Sequence, residues 1–333
     1  YPSVTVVLAC KNESDNLPIS LAALAALHYP HDRLEIIIVN DNSNDDSMKI
    51  IRSYSKQYPF FKYIDLNPKQ KSKPGKAGAI MAGIAKSSGE YIFITDADCK
   101  VPSTWIAGHL SRFKPDIGIT GGFTLAAAAQ QLPNRFQSVQ NIDLLYLLSV
   151  ASSTSAMNKP TSWVGNNLAI RRKAYESIGG YEALEASLVE DFILIAALDK
   201  HTRWKTSFSP SHSTLVSSIP PGSFYEWYHQ RKRWSCGIPK MRPLGTVIMI
   251  ISFIAHLTLL ASLFVNPLFI FLPGFLMMAG IDHWMIHKTA RLLKYPIKPR
   301  DFFIFQIYYF LYSSLLPFFL IFDRTIIWKG KTY

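Results

Sequence analysis

The sequence has few cysteines and contains neither of the common glycine-rich nucleotide motifs. Cys10, Cys99 and Cys236 form no disulfide framework and no Cys/His metal pattern, so we predict a reducing compartment. Neither Gly-x-Gly-x-x-Gly nor Gly-x-x-x-x-Gly-Lys-Ser/Thr occurs, which argues against a dinucleotide-binding fold and a P-loop. The sequence also starts without Met or a signal peptide, which leaves open that it is a segment and that an upstream membrane span is missing.

Charge is absent from a long C-terminal stretch. Residues 243–281 contain no Lys, Arg, Asp or Glu. One span needs only about 20 residues, so this stretch predicts two spans that turn near Asn266 and Pro267. A later uncharged segment is also long enough to cross a bilayer. The predicted spans of this integral membrane protein are about 244–264, 265–286 and 302–322.

The formal net charge of +12 comes partly from basic clusters beside these apolar segments. That position indicates lipid headgroups, and we expect no nucleic-acid partner. The basic loop 288–300 should be cytoplasmic, which also places the residues before the apolar segments on the cytoplasmic side of the cell (inner) membrane. The third apolar segment would then translocate Arg324, Lys329 and Lys331, so a re-entrant or interfacial placement is the alternative.

Strands and helices alternate along the first part of the sequence. Apolar β-branched runs are typical of buried strands, and segments with apolar residues at helical spacing follow them. Such repeats favour an α/β fold with a parallel sheet. The predicted strands are 4–9, 34–39, 61–66, 90–95, 117–123, 163–170 and 204–208, and the predicted helices include 17–27, 47–57, 105–113, 125–146, 172–178 and 193–200.

Two of the predicted strands end in acidic residues. Asp41 follows the second strand, and Asp96 and Asp98 follow the fourth. The carboxyl ends of parallel strands share one edge of the sheet, where α/β proteins bind ligands. Two carboxylates there suit Mg²⁺ or Mn²⁺ bridging to a diphosphate. Lys76 lies in a glycine-containing turn before a helix, where free backbone N–H groups can bind phosphate.

Two further polar motifs precede the apolar segments. Glu190 and Asp191 stand at the start of a predicted helix, where simple compensation of the helix dipole is the alternative explanation. Residues 223–234 are aromatic and basic, which predicts an amphipathic helix at the membrane surface.

Together these motifs resemble those of glycosyltransferase family 2, in particular its membrane-bound synthases of cellulose, chitin, hyaluronan and poly-N-acetylglucosamine. The likeness covers essentially the whole chain, and the motifs keep the family's order. One departure is Val189, where many members carry Thr. The segments that carry the resemblance are Ala9-Cys10-Lys11-Asn12-Glu13 with Asp41, Asp96-Ala97-Asp98, Glu190-Asp191 and Gln230-Arg231-Lys232-Arg233-Trp234.

The resemblance implies a Rossmann-like glycosyltransferase type-A domain at residues 1–222. An interfacial segment at 223–242 and a transmembrane region at 243–333 would follow. On the donor side, the resemblance implies a nucleotide-binding set and a metal site held by Asp98 with Asp96 beside it. The nucleotide-sugar set consists of Ala9, Lys11, Glu13, Asp41, Lys76 and Asp96.

On the acceptor side, the resemblance implies that Asp191 is the general base, a role that a carboxylate can fill. Arg233 offers a planar fork for diphosphate oxygens, and Trp234 an aromatic face for a sugar. The residues implied for the acceptor and diphosphate are Glu190, Gln230, Arg233 and Trp234.

The sequence therefore predicts an inverting, metal-dependent transferase. It would move a sugar from a nucleotide sugar, predicted to be UDP-linked, to a growing polysaccharide or glycolipid. Transfer of one sugar to a lipid, such as a polyprenyl phosphate, diacylglycerol or sphingoid lipid, is the first alternative. A membrane-bound module that binds nucleotide without catalysis is the second. If the chain exports a polymer, three apolar segments are few for a channel, and a membrane partner subunit is expected.

Overall fold

A mixed β-sheet forms the centre of the first part of the chain. The computed structural model describes residues 1–332 except 68–70, 127–133, 162–163, 186, 188, 239–241, 323–326 and 329–330. Within these residues the sheet has the order β3-β2-β1-β4-β8-β6-β9. Its strands are β1 (Val4–Cys10), β2 (Leu34–Asn40), β3 (Phe61–Asp65), β4 (Tyr91–Asp96), β6 (Ile117–Gly121), β8 (Asn167–Arg171) and β9 (Lys205–Phe208).

A smaller sheet with the order β5-β10-β7 lies beside it. Its strands are β5 (Cys99–Lys100), β7 (Thr124–Ala126) and β10 (Val216–Ser218), while β11 (Ile327–Trp328) pairs with β12 (Lys331–Thr332). The helices are α1 (Leu17–Ala25), α2 (Ser47–Gln57), α3 (Gly75–Ala85), α4 (Trp105–Leu110), α5 (Arg135–Ala156), α6 (Arg172–Ser177), α7 (Gly180–Ala183), α8 (Glu190–His201), α9 (Phe224–Ser235), α10 (Pro243–Val265), α11 (Leu272–Leu292) and α12 (Pro299–Phe322).

Strands β1, β2 and β4 are parallel and buried on both faces, as their runs of Val and Ile predict. β1 pairs in parallel with β2 on one side and with β4 on the other. Along β2, Ile36 and Ile38 face one apolar cluster, and Ile37 and Val39 face the other. This alternation places helices on both faces of the sheet. The predicted α/β fold with a mostly parallel sheet is therefore confirmed.

One strand of the central sheet runs against its neighbours. β8 is antiparallel to both β4 and β6, whereas β9 is parallel to β6. Between β4 and β8 the chain forms β5, α4, β6, β7 and the long helix α5, and β8 then enters the sheet from the opposite end. The strand order is therefore not that of a simple βαβ series.

Two predicted boundaries are wrong. The strand predicted at 163–170 begins at Asn167, since Val164 precedes a turn at residues 165–166; Trp163 lies outside the described residues. The helix predicted at 125–146 overlaps β7, which pairs with β10, and residues 127–133 lie outside the described part. Helix α5 begins only at Arg135, because Asn134 and Gln137 form a reciprocal capping box there.

The C-terminal helices have apolar, exposed surfaces. Among the described residues, the segments Pro243–Val265 and Pro267–Leu292 are long and apolar enough to cross a membrane. Ile251 and Met277 show how open these surfaces are, with exposed fractions of 61% and 65%. The predicted break at Asn266 coincides with the end of α10.

Helix α5 joins the globular domain to the C-terminal helices. It packs against both α11 and α12. The Ser149 hydroxyl lies 2.7 Å from that of Thr289, and the Asn141 side chain donates to the Tyr295 hydroxyl at 2.9 Å. The apolar helices are therefore docked on a helix of the globular domain.

Candidate active site

The carboxyl ends of the central parallel strands bring distant acidic residues together. Ala9 at the end of β1 is paired with Asp96 at the end of β4. Asp41 follows β2, which is parallel to β1 and ends at the same edge. The parallel register thus places the predicted acids along one edge of the sheet.

Lys76 lies at the centre of this edge. Lys76 lies in the first turn of α3. Its ammonium group forms ion pairs with Asp96 and, at 3.4 Å, with Glu190. Burial opposes the charge of Lys76, but Asp96 and Glu190 together hold its pKa well above the usual range. Glu190 is far from Asp96 in the sequence. The tertiary fold therefore brings the Asp96-Ala97-Asp98 and Glu190-Asp191 motifs into one cluster.

Asp98 carries unbalanced negative charge. Burial, followed by the carboxylates of Asp96 and Glu13, raises the pKa of Asp98 to about 6. The Cys99 thiol donates to one oxygen of Asp98 at 3.4 Å, and the Ser218 hydroxyl lies 3.5 Å from the other. The Cys99 thiol and the Lys76 ammonium lower the pKa of Asp98 less than burial and the carboxylates raise it, so a bound cation would be stabilised here.

The residues present fit a divalent cation whose coordination is completed by substrate. Within the described ranges no group of three or more His, Cys, Asp or Glu side chains could hold a metal by itself. Asp96 and Asp98 supply carboxylate oxygens, and Mg²⁺ is commonly held by one or two carboxylates together with substrate phosphates. The charge around Asp98 agrees with such a partial site.

Asp191 lies in the first turn of α8. Burial and the neighbouring Glu190 raise the pKa of Asp191 to about 6, while Lys76 and Arg233 oppose this rise. Its carboxylate accepts a hydrogen bond from the Phe192 N–H at 2.9 Å. An ionisable group with a pKa near neutrality can exchange a proton with a bound hydroxyl.

Gly165 leaves the space that Asp191 occupies. A Cβ atom at position 165 would lie 2.8 Å from the Asp191 Cβ and 2.9 Å from its Oδ2. Only a residue without a side chain therefore fits without displacing the carboxylate. The neighbouring Asn167 is fully buried and bonds to Trp105 and His109.

Helix α9 approaches the acidic cluster from the other side. Burial lowers the pKa of Arg233, and the nearby carboxylates of Glu190, Asp191 and Asp96 counteract that effect. Gln230 precedes Arg233 by three residues and Trp234 by four, so these side chains lie on adjoining parts of one helix surface. Both Gln230 and Trp234 are partly exposed.

The predicted base pocket is a polar loop held by local hydrogen bonds. Lys11 is exposed, and the Glu13 N–H donates to the Ser47 hydroxyl at 2.9 Å. Asp41 forms an ion pair of 2.6 Å with Lys71, a residue that belongs to none of the sequence motifs. The only sequence signal for Lys71 was its place in the basic segment 69–76.

Comparisons with known proteins place this geometry in a family. The sequence model of the family described as glycosyl transferase family 21 matches residues 1–333. A probable glycosyltransferase of Bacillus subtilis, YdaM, is 32% identical over 242 residues, which are 71% of this chain and 55% of that protein.

The names of two more relatives state an enzymatic activity. β-Monoglucosyldiacylglycerol synthase of Synechocystis is 27% identical over 239 residues, covering 71% of this chain and 48% of the relative. Poly-β-1,6-N-acetyl-D-glucosamine synthase of Staphylococcus epidermidis is 24% identical over 236 residues, covering 70% and 54%. The chain thus spans about half the length of the curated relatives that it matches.

Among solved structures, a mannosyltransferase from Pyrobaculum calidifontis in complex with GDP-mannose and Mn²⁺ has a similar fold. Its TM-score is 0.61 at 17% identity, and the match covers 97% of this chain and 88% of that one. The glycosyltransferase resemblance and the type-A fold inferred from the motifs are therefore confirmed.

Proposed function

The chain belongs to glycosyl transferase family 21, and we propose that it transfers a sugar from a UDP-linked donor to a saccharide or lipid acceptor at a membrane. The observation that carries this proposal is the cluster in which Lys76 joins Asp96 to Glu190 and also interacts electrostatically with Asp98 and Asp191. The relatives support it, since their printed names describe the synthesis of a glycolipid and of a polysaccharide.

On the donor side, we assign the diphosphate to the space beside Asp98. Asp98 and Asp96 would hold Mg²⁺ or Mn²⁺, which when bound neutralises charge on the leaving nucleoside diphosphate. Lys76 and Arg233 lie near the same carboxylates and can donate hydrogen bonds to phosphate oxygens. When the donor binds, the side chains of Lys76 and Arg233 would leave their carboxylate partners and contact the phosphate oxygens instead.

For the transfer itself, Asp191 is assigned as the general base. An acceptor hydroxyl gives its proton to the Asp191 carboxylate while its oxygen attacks the anomeric carbon of the sugar. The bond from that carbon to the diphosphate oxygen breaks on the opposite face, so the configuration inverts. A base whose pKa is about 6 suits this role, because it is largely ionised at neutral pH yet holds a proton better than an ordinary Asp.

The nucleotide base is assigned to the loops after β1 and β2. Ala9, Lys11, Glu13 and Asp41 would surround it, as the sequence resemblance implies. Lys71 joins this set, since its ion pair with Asp41 presents a donor beside an acceptor. On the acceptor side, Glu190, Gln230 and Trp234 are assigned to the incoming saccharide or headgroup.

The position of the first apolar helix supports action at a membrane. Arg242 directly precedes α10 and forms an ion pair with Asp199 of α8. Asp191 lies in the first turn of that same helix. We therefore propose that the Asp191 carboxylate works close to the lipid surface, with the catalytic domain on the cytoplasmic side.

For α12 we propose an interfacial or re-entrant placement. The helix packs against α5 near its start, and β11 beyond its end contacts α9. The first contact is with the catalytic domain and the second with the helix that directly follows it, which supports keeping the basic tail on the cytoplasmic side, while α12 also packs against α10. Accessibility of a cysteine introduced at Lys331, measured in sealed inner-membrane vesicles of known orientation, tests this placement; labelling from the translocated side would refute it.

The first test of the proposed function is UDP release by the detergent-solubilised chain. A panel of UDP-sugars is offered with Mn²⁺ or Mg²⁺, with and without EDTA, and lipid extraction separates a singly glycosylated lipid from a polymer. We expect release with one donor that EDTA and Asp191→Asn both abolish. Release that continues with Asp191→Asn would contradict the assigned base, while UDP binding without turnover by any donor would favour a non-catalytic module. If added membrane fractions restore release, a partner subunit is needed.

A further inference from the structure

A buried ion pair joins α9 to the long helix α5. Because α9 carries Gln230 and Trp234, which were assigned to the acceptor, we call it the acceptor helix. Arg231 Nη2 lies 2.5 Å from Asp143 Oδ2, and the side chains are 4% and 1% exposed. Asp143 belongs to none of the motifs, and Arg231 occupies one of the unspecified positions of Gln-x-x-Arg-Trp. The contact therefore has no place in the function proposed above.

The energetics of this pair do not favour a purely stabilising role. Burying two opposite charges costs desolvation energy, and a well-packed apolar pair is often as stable or more stable. In the described structure, neither carboxylate oxygen of Asp143 has a hydrogen-bond partner, and neither do Arg231 Nε and Nη1, so the contact between the two side chains is an ion pair alone. A pair with these unmet bonds is better explained by the geometry it enforces than by the stability it adds.

That geometry involves an aromatic residue of the acceptor motif. The guanidinium carbon of Arg231 lies 4.4 Å from the ring centroid of Trp234, one turn further along α9, and 5.9 Å from that of Trp227. A planar guanidinium stacks on an aromatic face and restrains its orientation. Asp143 holds the guanidinium, and the guanidinium in turn holds the Trp234 ring.

The same pair sets the rotation of α9 about its axis. Arg233 follows Arg231 by two residues, so their side chains leave the helix about 200° apart. With Arg231 directed at α5, Arg233 faces the carboxylates of Glu190 and Asp191. Because α5 also packs on α11 and α12, the ion pair fixes the acceptor helix to the part of the domain that contacts the apolar helices.

We propose that Asp143 and Arg231 are positioning residues that orient Trp234 for the acceptor, an inference that rests on the proposed glycosyltransferase function. They touch neither donor nor reacting atoms in this proposal. Their effect on transfer passes through the ring of Trp234 and the rotation of α9.

Two variants separate positioning from stability. Arg231→Lys keeps a charge for Asp143 but removes the planar group that stacks on Trp234. The double substitution Asp143→Leu with Arg231→Met removes both charges without leaving one buried alone, so it should fold. Glu35→Gln is the matched control, because Glu35 is a buried carboxylate paired with Lys62 at the other edge of the sheet.

The first readout does not depend on turnover. The full chain is labelled with 5-fluorotryptophan in detergent, and Trp234→Phe identifies the fluorine resonance of Trp234. We expect this resonance to shift or broaden in Arg231→Lys and in the double variant, and to stay in place in Glu35→Gln. An unchanged resonance in both test variants would overturn the proposal.

The second readout is the kinetics of transfer, with dioleoylglycerol micelles and a β-linked N-acetylglucosamine tetramer as acceptor probes. In both variants we expect kcat/KM for the probe to fall about 10- to 100-fold, while the KM for the UDP-sugar changes less than about twofold. Equal losses for donor and acceptor, or wild-type kinetics, would refute positioning of the acceptor side. If the wild type transfers no sugar at all, the proposed function fails, and the fluorine resonance alone decides whether the pair orients Trp234.

Discussion

The two edges of the central sheet treat buried carboxylates in opposite ways. At the amino edge, Glu35 accepts hydrogen bonds from the Thr5 hydroxyl, Lys62 and the Ser88 N–H, at 2.9, 2.6 and 3.1 Å. Burial raises the pKa of Glu35, but Lys62, Ser88 and Thr5 together outweigh it and bring the pKa below the usual value. That edge satisfies its buried charge within the protein.

At the carboxyl edge, the pKa values of Asp98 and Asp191 are instead both raised to about 6. Acids are crowded against other acids there, and Lys76 is shared between Asp96 and Glu190. Uncompensated negative charge destabilises the folded protein, and a bound cation or a proton taken from a hydroxyl would relieve it. The two edges thus differ in how completely their buried carboxylates are satisfied, and the proposed function assigns the ligands to the edge where they are not.

Among substitutions that test this contrast between the two edges, Asp191→Asn should have the largest effect. We expect transfer to fall roughly 100- to 10,000-fold, because an amide cannot accept the proton of the acceptor hydroxyl. The affinity for UDP, measured by calorimetry, should change little. Glu35→Gln serves as the control at the satisfied edge and should keep the wild-type rate per folded molecule. Full activity in Asp191→Asn would remove the distinction between the edges.

The next largest effect is expected from Asp98→Ala. Loss of this carboxylate should lower turnover about 100-fold, and Mn²⁺ should no longer strengthen UDP binding in titration calorimetry. EDTA should impose the same loss on the wild type. If Asp98→Ala still binds UDP more tightly with Mn²⁺ than without, the cation lies elsewhere and the unbalanced charge at Asp98 has another purpose.

A smaller effect tests how closely the ligand edge is packed. Gly165→Ala brings a methyl group against Asp191, and a shift of that carboxylate should lower kcat about tenfold. Gly280→Ala is the matched control, because no atom lies within 4 Å of a Cβ added there. Equal activity of both alanine variants would show that Asp191 tolerates displacement.

At the satisfied edge, the expected effect is on stability. Glu35→Gln weakens a buried network and should cost about 1–3 kcal/mol of unfolding free energy at neutral pH. The pKa of Glu35 is lowered in the folded state, so its contribution is present above the unfolded value of 4.5 and is lost as the pH falls further. Thermal unfolding at pH 7 and pH 3.5 should therefore show a difference between variant and wild type that shrinks in acid.

The smallest expected effect has the opposite sign. The folded-state pKa of Asp98 is raised to about 6, so its contribution to stability is lost as the pH rises through that value. In EDTA, Asp98→Asn should thus gain about 1 kcal/mol relative to the wild type between pH 4.5 and pH 8. Melting temperatures across this range check the sign. A loss at pH 8 would mean that Asp98 is as well satisfied as Glu35.

Local sequence patterns were sufficient for much of the fold. Apolar β-branched runs identified β1, β2 and β4, because a strand buried on both faces must be apolar throughout. Local patterns failed at residues 164–166 and 125–126, where a turn and a short strand depend on neighbours far along the chain. The antiparallel entry of β8 likewise has no local signature, since it follows from the path of the intervening helix.

The sequence by itself determined which chemical groups stand at the ends of the elements: Asp96 and Asp98 after a strand, Asp191 at a helix start, and Trp234 before the apolar segments. These features are local, and the spacing of neighbouring residues decides them. Only the tertiary structure decided that Lys76 bridges Asp96 and Glu190, that Lys71 pairs with Asp41, and that Asp143 meets Arg231. Those contacts join residues at least 20 positions apart in the sequence. Their energies depend on burial and on other charges, which no single segment specifies.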